Sequence, residues 1–309
     1  MCRPDGTENP RRITAGSQPA QVGFSALTLS DRGCGRQAIM TLQLHLRQQP
    51  DVPLEAEVIT PDQMAGLSNA QVRELIIYHG KRQVPLEEFF DVDGDGSQDI
   101  VLHGDLNKVR WVGHGMTSGR ITIHGDVGMH LGARMKRGHI EVHGSAGDWI
   151  GAEMKNGFIH VHGNAGGQIG AAYRGAPSGM RNGTIIVDGS AGLEVGMRMR
   201  RGTIVLGGVA RDFCGLQMKG GTIVLREGAE IRAGAWMNRG TIISLKPLQM
   251  MPTFAHANDD TPTFLNIYSR HLKQYGINLP DADAAGVYRR YIGDLSVPGK
   301  GEILVWQAG

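Results

Sequence analysis

A motif of 19 residues recurs through the middle of the chain and restricts the folds that the chain can adopt. Five copies have this length, and they begin at His124, His143, Asp188, Gly207 and Arg226. The copy that begins at His162 has 26 residues because seven are inserted around residues 173–179, and an earlier copy over residues 103–123 is degenerate in its first half. A repeat this short cannot bury its own apolar face, so stacked copies must share one core.

Apolar residues occupy fixed positions in the copies. In six of the seven copies an isoleucine is followed two residues later by Val, Leu or Ile, and this alternation predicts β-strands in the repeat. Two further columns, one of them methionine, are predicted to face the interior. The three columns are Ile121, Ile140, Ile159, Ile185, Ile204, Ile223 and Ile242; Met116, Met135, Met154, Met180, Met199, Met218 and Met237; and Val112, Leu131, Ile150, Ile169, Val195, Cys214 and Ala233.

Glycine marks the corners between the predicted strands. Of 46 glycines in 309 residues, 31 lie in residues 103–244, and glycine supplies the positive φ that a repeated turn needs. The lack of a three-residue register excludes collagen, and the 19-residue period excludes a left-handed hexapeptide helix. We therefore predict an all-β protein whose middle is a right-handed parallel β-helix, a single-stranded solenoid of about seven 19-residue coils.

Small α/β capping segments are predicted at both ends of the solenoid, because uncovered ends invite aggregation. The predicted boundaries are 1–39 for an N-terminal extension, 40–102 for the N-terminal cap, 103–245 for the β-helix with its GxGxG-type repeats, and 246–309 for the C-terminal cap. Expected elements are strands at 42–47, 54–59 and 301–307, a short helix that Ser68 caps and that ends at Ile76, and a helix over 262–275.

Charge and cysteine content favour a cytoplasmic protein with no nucleic-acid or membrane partner. The formal net charge is +2, which is too small to argue for a polyanionic partner, and no apolar run approaches the roughly 18 residues of a membrane span. Cys2, Cys34 and Cys214 have no paired spacing, which favours free thiols. Residues 1–39 lack a signal-peptide pattern and are interpreted as a disordered or over-annotated extension, with Met40 as the start.

Two patterns are weighed as metal sites, and no metal ligand is assigned. Asp91, Asp93 and Asp95 with Gly96 resemble the start of a calcium loop, but Leu102 stands where a bidentate Glu is needed, which favours a polar turn. Histidines also stack in one column of the repeat, which Asp188 continues. Because a column of like side chains does not converge on an ion, we expect a solvated ladder. The column is His103, His124, His143 and His162.

A column of basic residues follows the methionines. Like charges at strand spacing repel one another unless an anion compensates them. We interpret the column as a solvated edge of the solenoid, and the alternative is a docking face for an acidic partner or a polyanionic tail. The candidate polyanion contacts are Lys136, Lys155, Arg181, Arg200 and Lys219, and no cofactor-binding residue is assigned beyond them.

The sequence contains no recognisable catalytic constellation, so no catalytic residue is assigned. It lacks a GxSxG elbow, an HExxH motif and a phosphate-binding loop. Cys214 lies in an inward-facing column and is predicted to be an inert core thiol. A stand-alone carbohydrate-active β-helix enzyme remains an alternative, although its expected cluster of outward carboxylates is absent.

The repeat resembles the C-type subunit of the formylmethanofuran dehydrogenase family over roughly residues 41–245. The segments that carry the resemblance are GDVGMHLGARMKRG from Gly125, GSAGDWIGAEMKNG from Gly144 and NAGGQIGAAYRG from Asn164, together with Ile59-Thr60-Pro61 before a short helix. The family has two branches: archaeal complexes that reduce carbon dioxide onto methanofuran with molybdenum or tungsten, and formyltransferase/hydrolase complexes of methylotrophic bacteria.

The resemblance implies a non-catalytic scaffold subunit in one-carbon metabolism. The bacterial complex would move a formyl group from tetrahydromethanopterin to a methanofuran analogue and release formate, with subunits of the A, B and D types as partners and with the metal in another subunit. This chain alone would bind no cofactor. Eight lysines against 24 arginines favour the bacterial branch. The candidate partner contacts are Tyr173, Arg174 and Trp149.

Overall fold

Strands dominate the computed structural model, which describes residues 41–280 and 284–309. The extension predicted at 1–39 and the start predicted at Met40 lie outside the described residues. The first part of the described chain contains seven strands and three short helical segments. These are β1 (Leu42–Leu46), β2 (Leu54–Glu55), α1 (Pro61–Met64), α2 (Asn69–Arg73), β3 (Ile76–His79), β4 (Arg82–Pro85), a 3-10 helix (Leu86–Glu88), β5 (Phe90–Asp93), β6 (Asp99–His103) and β7 (Val109–Arg110).

Each repeat copy contributes one strand, as the alternation of apolar residues predicted. The strands are β8 (Arg120–His124), β9 (His139–Val142), β10 (Phe158–Val161), β11 (Thr184–Val187), β12 (Thr203–Leu206), β13 (Lys219–Leu225) and β14 (Arg239–Ser244). Every strand pairs in parallel with the next, and the register is one repeat, so that Ile140 lies beside Ile159 and Ile159 beside Ile185. The isoleucine column of the sequence is therefore a physical ladder.

A second ladder joins the same copies along another edge. Single parallel bridges link residues one copy apart, and they form a continuous series: Leu106, Val127, Ala146, Ala165, Ala191, Ala210 and Ala229. Consecutive copies are thus paired twice, once through strands and once through these bridges. Two ladders per copy hold each copy in register with its neighbour, because a slip in one ladder would break the other.

Antiparallel strands complete the large sheet at both ends. The C-terminal part contains β15 (Ala255–Asp260), α3 (Leu265–Lys273), β16 (Gly286–Gly293) and β17 (Gly301–Ala308). The sheet has 13 strands in the order β15-β16-β17-β14-β13-β12-β11-β10-β9-β8-β6-β1-β5, and a smaller sheet has the order β4-β3-β2-β7. Pairing is antiparallel for β15 with β16, for β16 with β17 and for β1 with β5. The prediction of an all-β protein is confirmed, and the large sheet is mixed.

The interior of the repeat region consists of the predicted columns. All seven isoleucines and all seven methionines are fully buried, as are Leu131, Ile150 and Cys214. Burying one such side chain stabilises the fold by about 1.5–3 kcal/mol, so the columns supply a large share of the hydrophobic driving force. The prediction that they face inward is confirmed.

A second apolar layer covers the outer face of the later strands. Outward residues of β11 to β14, namely Ile186, Val205, Val224 and Ile243, pack against Leu265 and Leu272 of α3 and against Tyr288 and Leu304. In β9 and β10 the matching outward residues are Glu141 and His160. The cover therefore ends where the outward positions become polar.

Several predicted elements are shorter than expected. The strand predicted at 54–59 stops at Glu55 because Thr60 caps α1 and Pro61 occupies its first turn. Ser68 caps α2 through a reciprocal contact with Gln71, as predicted, but the helix ends at Arg73. Residues from Ile76 onward form β3, because they pair with β2 and β4. The helix predicted at 262–275 spans Leu265–Lys273, and the strand predicted at 301–307 spans Gly301–Ala308.

Candidate functional site

The insertion at 173–179, called the insertion loop below, folds back against basic residues of later copies. The amide of Ala176 donates to the Tyr173 carbonyl at 2.9 Å, which closes a turn within the loop. Lys219 Nζ donates to the carbonyl of Pro177 at 2.6 Å, and Arg198 Nη1 donates to the carbonyl of Ala176 at 3.1 Å. Cationic side chains therefore tie the loop to the repeat copies that follow it.

All five predicted polyanion contacts line two cavities beside this loop. One cavity of about 450 Å³ is lined by Lys136, Lys155 and Arg181 together with His114, Arg134, Glu153 and loop residues 176–178. The other, of about 520 Å³, is lined by Arg181, Arg200 and Lys219 together with Asn238, Arg239 and loop residues 177–178. We call the two cavities the basic groove. The sequence predicted the column, and the structure adds the loop beside it.

The basic groove carries an excess of positive charge. Its five column residues are exposed, and within residues 41–280 and 284–309 none of them forms an ion pair with a carboxylate. Glu153, the acid in the groove, is already paired with Arg134, whose Nε lies 3.0 Å from Glu153 Oε2. An anionic group that entered the groove would therefore meet several unpaired cations.

Aromatic rings form the base of the insertion loop. Tyr173 stacks on Trp149 with ring centroids 4.9 Å apart, and its hydroxyl lies 2.8 Å from His130 Nδ1. His130 in turn stacks on Trp111 at 4.0 Å. Of the three predicted partner contacts, Trp149 and Tyr173 are half-buried against each other and Arg174 is exposed. The first two therefore anchor the loop, and Arg174 lies on its surface.

Burial sets the protonation of this aromatic cluster. Burial, with a smaller contribution from Arg110, lowers the pKa of His130 to about 4, so the ring is neutral at pH 7. Burial also raises the pKa of Tyr173 well above its usual range. The pair is therefore a neutral hydrogen bond, which suits a half-buried anchor.

One structural feature of the cluster was missed by the sequence reasoning. Trp111, His130 and Trp149 all have φ near +67°, a left-handed conformation that is uncommon for residues other than glycine. The same position is left-handed in later copies, at Gln168, Glu194, Phe213 and Arg232. The signal in the sequence was their shared place immediately before an inward-facing apolar column. This conformation turns large side chains outward at one corner of every copy.

The predicted histidine ladder is present and begins earlier than expected. Ring centroids lie 4.4 Å apart for His45 and His103, 5.0 Å for His103 and His124, 4.7 Å for His124 and His143, and 5.2 Å for His143 and His162. At its far end the ladder meets His160 and Asp188, which sequence reasoning had not brought together.

The calcium-like stretch is only partly the polar turn that the sequence suggested, because Asp91 and Asp93 lie in β5, whereas Asp95 and Gly96 lie in the turn between β5 and β6. Asp95 Oδ1 accepts from the backbone amide of Asn69 at 2.7 Å, and the Asn69 side chain donates to the carbonyls of Val92 and Gly94. The acidic turn therefore ties down the start of α2. Cys214 is fully buried, and burial raises the pKa of its thiol to about 12, so it is the inert core thiol that was predicted.

Comparison with known proteins identifies relatives of one kind. No protein-family model matches the chain. The C-type subunit of a molybdenum-containing formylmethanofuran dehydrogenase from Methanothermobacter marburgensis is 45% identical over 83 residues, 26% of this chain and 21% of the relative. The C-type subunit of the formyltransferase/hydrolase complex from Methylorubrum extorquens is 35% identical over 88 residues, 28% of this chain and 33% of the relative. The matched segments thus span a fifth to a third of these curated relatives.

A solved structure extends the match to almost a whole chain. It is a chain of the crystal structure of the formyltransferase/hydrolase complex (FhcABCD) from Methylorubrum extorquens in complex with methylofuran. The identity is 34% and the TM-score 0.77, over 85% of this chain and 98% of that one. The chain belongs to the family of C-type subunits of formylmethanofuran dehydrogenase.

Membership of this family confirms the resemblance that the repeat segments indicated. The C-type subunit of a tungsten-containing formylmethanofuran dehydrogenase from Methanothermobacter thermautotrophicus is also similar to this chain. The two are 41% identical over 92 residues, which is 28% of this chain and 34% of the relative. Among the described residues of this family member, no helix is long and apolar enough to cross a membrane.

Proposed function

We propose that the chain is a non-catalytic scaffold subunit of a multi-subunit formyltransferase/hydrolase complex in one-carbon metabolism. The observation that carries the proposal is the 34% identity and TM-score of 0.77 to a chain of such a complex, 98% of which is covered. The reaction assigned to the whole complex is transfer of a formyl group from tetrahydromethanopterin to a methanofuran analogue, followed by release of formate. Subunits of the A, B and D types are its partners, and any metal of that reaction lies in one of them.

The scaffold in this proposal is a right-handed parallel β-helix over residues 103–245, capped by residues 40–102 and 246–309. Two parallel ladders support this architecture: one is formed by a strand from each copy, and the other by a single bridge between each pair of consecutive copies. A solenoid presents long, regular faces, and its stability comes from contacts between neighbouring coils. Such a body can bind several subunits side by side without changing shape.

The insertion loop and the basic groove are the docking surface in this proposal. Tyr173 and Trp149 hold the loop base, whereas Arg174 and Pro177 are exposed. The unpaired cations of the groove favour an acidic segment of a neighbouring subunit or the polyglutamate-like tail of a methanofuran analogue. Both ligands present carboxylates along an extended chain, which matches a column with one cation per coil.

A second candidate is the C-type subunit of a molybdenum- or tungsten-dependent formylmethanofuran dehydrogenase. The observation in its favour is the higher identity to those subunits, 45% over 83 residues. The scaffold role of this chain is the same in both candidates, and the partner that performs the chemistry differs. Formate release without an added electron acceptor by the purified complex would favour the hydrolase over the dehydrogenase.

The scaffold role is tested by comparing the isolated chain with the assembled complex. We expect the purified chain to show neither formyl transfer nor formate release, and the complex with A, B and D subunits to show both. Activity of the isolated chain would overturn the proposal. Replacing Arg174 by Glu should weaken recovery of the complex, whereas Arg47→Glu, the same change in the N-terminal cap, should not.

The docking role of the groove is tested with a short poly-L-glutamate peptide. At low salt, the peptide should raise the melting temperature of the chain, and the triple replacement of Lys136, Lys155 and Arg200 by Ser should abolish that rise. Replacement of Arg47, Arg73 and Arg82, which are paired with carboxylates, is the matched control. If the control variant also lost the rise in melting temperature, the peptide would be responding to the net charge of the chain and not to the basic groove.

A further inference from the structure

The end of the histidine ladder brings three metal-binding groups to one point on the outer surface. His160 lies in β10, His162 follows that strand, and Asp188 follows β11. Residues two apart on a strand face the same side, and parallel pairing of β10 with β11 places Asp188 beside His162. The candidate ligand atoms of all three residues lie within 4.8 Å of one another.

Distances between these atoms suit a small metal ion. Asp188 Oδ2 lies 3.0 Å from His160 Nε2 and 2.9 Å from His162 Nδ1. In a tetrahedral site with bonds of roughly 2.0–2.1 Å, ligand atoms are separated by roughly 3.3–3.4 Å. A shift of a few tenths of an ångström, well within the range of side-chain rotation, would admit the ion.

The orientation of His162 is determined by its neighbours. Its ring stacks on that of His143 at 5.2 Å with the planes 6° apart, and His162 Nε2 lies 3.3 Å from Glu141 Oε1. With Nε2 directed at a carboxylate, Nδ1 is left facing Asp188. A carboxylate on the far nitrogen of a histidine is the arrangement that orients metal-bound imidazoles in proteins.

His160 is also held in place. Its ring lies against Phe158 in an edge-on contact at 6.2 Å, and 19% of its side chain is exposed. Asp188 is 46% exposed, so an ion can enter from solvent. The apolar cover of α3 ends next to this point, since Phe158 stacks on Tyr275 at 4.7 Å.

We propose that His160, His162 and Asp188 form a binding site for a divalent first-row transition metal such as Zn²⁺, with Glu141 orienting His162. Two imidazole nitrogens and one carboxylate oxygen are a donor set that Zn²⁺ accepts, and they leave one position for water or for a group from another molecule. The sequence argued against a metal because like residues in a column do not converge. Two departures from the column produce the convergence: a second histidine, His160, stands two residues before the column position, and Asp188 replaces a histidine in the column.

The experiment uses the full 309-residue chain without a histidine tag, in a background with Cys2 and Cys34 replaced by Ser so that these thiols bind no metal. The metal is removed with a chelator, and Zn²⁺ affinity is measured by competition with a chromophoric chelator. Co²⁺ is then added as a spectroscopic probe. We expect one tight Zn²⁺ per chain and visible absorption bands of near-tetrahedral Co²⁺ with nitrogen and oxygen ligands.

Variants separate this site from general binding to the ladder. His160→Gln and Asp188→Asn should each weaken Zn²⁺ binding by more than the roughly 10–100-fold that is typical of a change outside the ligand sphere. Glu141→Gln, a change outside the ligand sphere, should weaken Zn²⁺ binding by only roughly 10–100-fold. His124→Gln is the matched control, because His124 lies in the same ladder and has no carboxylate partner within residues 41–280 and 284–309. It should leave the Zn²⁺ affinity unchanged. Melting temperatures of the metal-free variants show whether each still folds.

Three results would overturn the proposal. The first is Zn²⁺ binding by the unchanged chain that is no tighter than binding by Asp188→Asn. The second is an equal loss of Zn²⁺ affinity in His124→Gln and His160→Gln, which would indicate loose binding along the stacked rings. The third is a Co²⁺ spectrum typical of octahedral coordination and unaffected by Asp188→Asn.

Discussion

Glycine is required at some corners of the repeat and replaceable at others. Gly119 has φ +79°, and a Cβ there would overlap the carbonyl oxygen of Gln98 and lie 2.7 Å from Pro61 Cβ. Gly115, four residues earlier, has φ +64° and nothing within 4 Å of a Cβ. The equivalent corner in later copies holds Arg134 and Glu153 with similar φ. The space around a corner therefore decides whether a side chain fits.

Alanine at these two glycines should separate backbone strain from steric overlap. Gly115→Ala should cost about 1 kcal/mol, the penalty of a left-handed residue. Gly119→Ala should cost about 1–3 kcal/mol more, because neighbouring backbone must move. The free energy of unfolding from chemical denaturation measures both. If both substitutions lowered the free energy of unfolding equally, the backbone near Gln98 would have moved away from the new Cβ without strain.

His130 makes the stability of the protein depend on pH. Burial lowers its pKa from 6.5 to about 4; Arg110 and His114 also lower it, and Asp148 opposes them. At a pH between these two pKa values, His130 is protonated in the unfolded chain and neutral in the folded chain. The contribution of the neutral ring to the free energy of unfolding is therefore complete above pH about 6.5 and decreases as the pH falls toward about 4. His130→Gln should therefore flatten the decline in unfolding free energy over this range. A slope identical to that of the unchanged chain would mean that the ring is solvated.

At the scale of elements, α3 stabilises the fold through one face. Leu272 is fully buried in the layer that covers β11 to β14, whereas Ile267 on the same helix is 71% exposed. Leu272→Ala should lower the free energy of unfolding by about 2–5 kcal/mol. Ile267→Ala, the matched control, should change it by about 0.5 kcal/mol or less. Similar effects of the two would show that the helix is not docked as described.

The insertion loop depends on hydrogen bonds from a neighbouring element. Lys219 at the start of β13 donates to the Pro177 carbonyl at 2.6 Å. Because one such bond contributes about 0.5–1.5 kcal/mol, Lys219→Gln should increase opening of the loop about 2- to 10-fold. Trypsin cleavage after the exposed Arg174 measures that opening. Lys155→Gln, in the same basic column, has no described bond to the loop and should leave the cleavage rate unchanged.

The large sheet ends in strands that carry charge. β15, at one end of the strand order, has exposed Asp259 and Asp260, and β5, at the other end, has exposed Asp91 and Asp93. Charged edge strands oppose pairing between molecules. The antiparallel ends of the sheet thus terminate a stack that could otherwise continue through further chains.

Removing the charge from one end should promote self-association of the whole molecule. Replacing Asp259 and Asp260 by Val makes the β15 edge apolar and suited to pairing. Size-exclusion chromatography with light scattering should then show larger species at raised concentration. Replacing the same two residues by Glu keeps the charge and should give the elution of the unchanged chain. If the Val variant elutes like the unchanged chain, the charge of Asp259 and Asp260 is not what prevents the β15 edge from pairing with another molecule.

The 19-residue period was sufficient to predict the strands, their one-repeat register and the buried isoleucine and methionine columns. These features follow from contacts between residues one copy apart, so the same residue types recur at the same positions of every copy. The histidine and basic columns were visible for the same reason. The family resemblance rested on the same repeated segments.

Features without a period were decided by tertiary packing. Neither the contact of the insertion loop with Lys219 and Arg198 nor the cover of α3 over β11 to β14 repeats in the sequence. At one end β17 continues the stack in parallel with β14, and β16 and β15 then fold back antiparallel; at the other end β5 folds back antiparallel on β1. The convergence of His160, His162 and Asp188 depends on the orientation of side chains from two neighbouring copies, and the order of residues in the repeat does not specify that orientation.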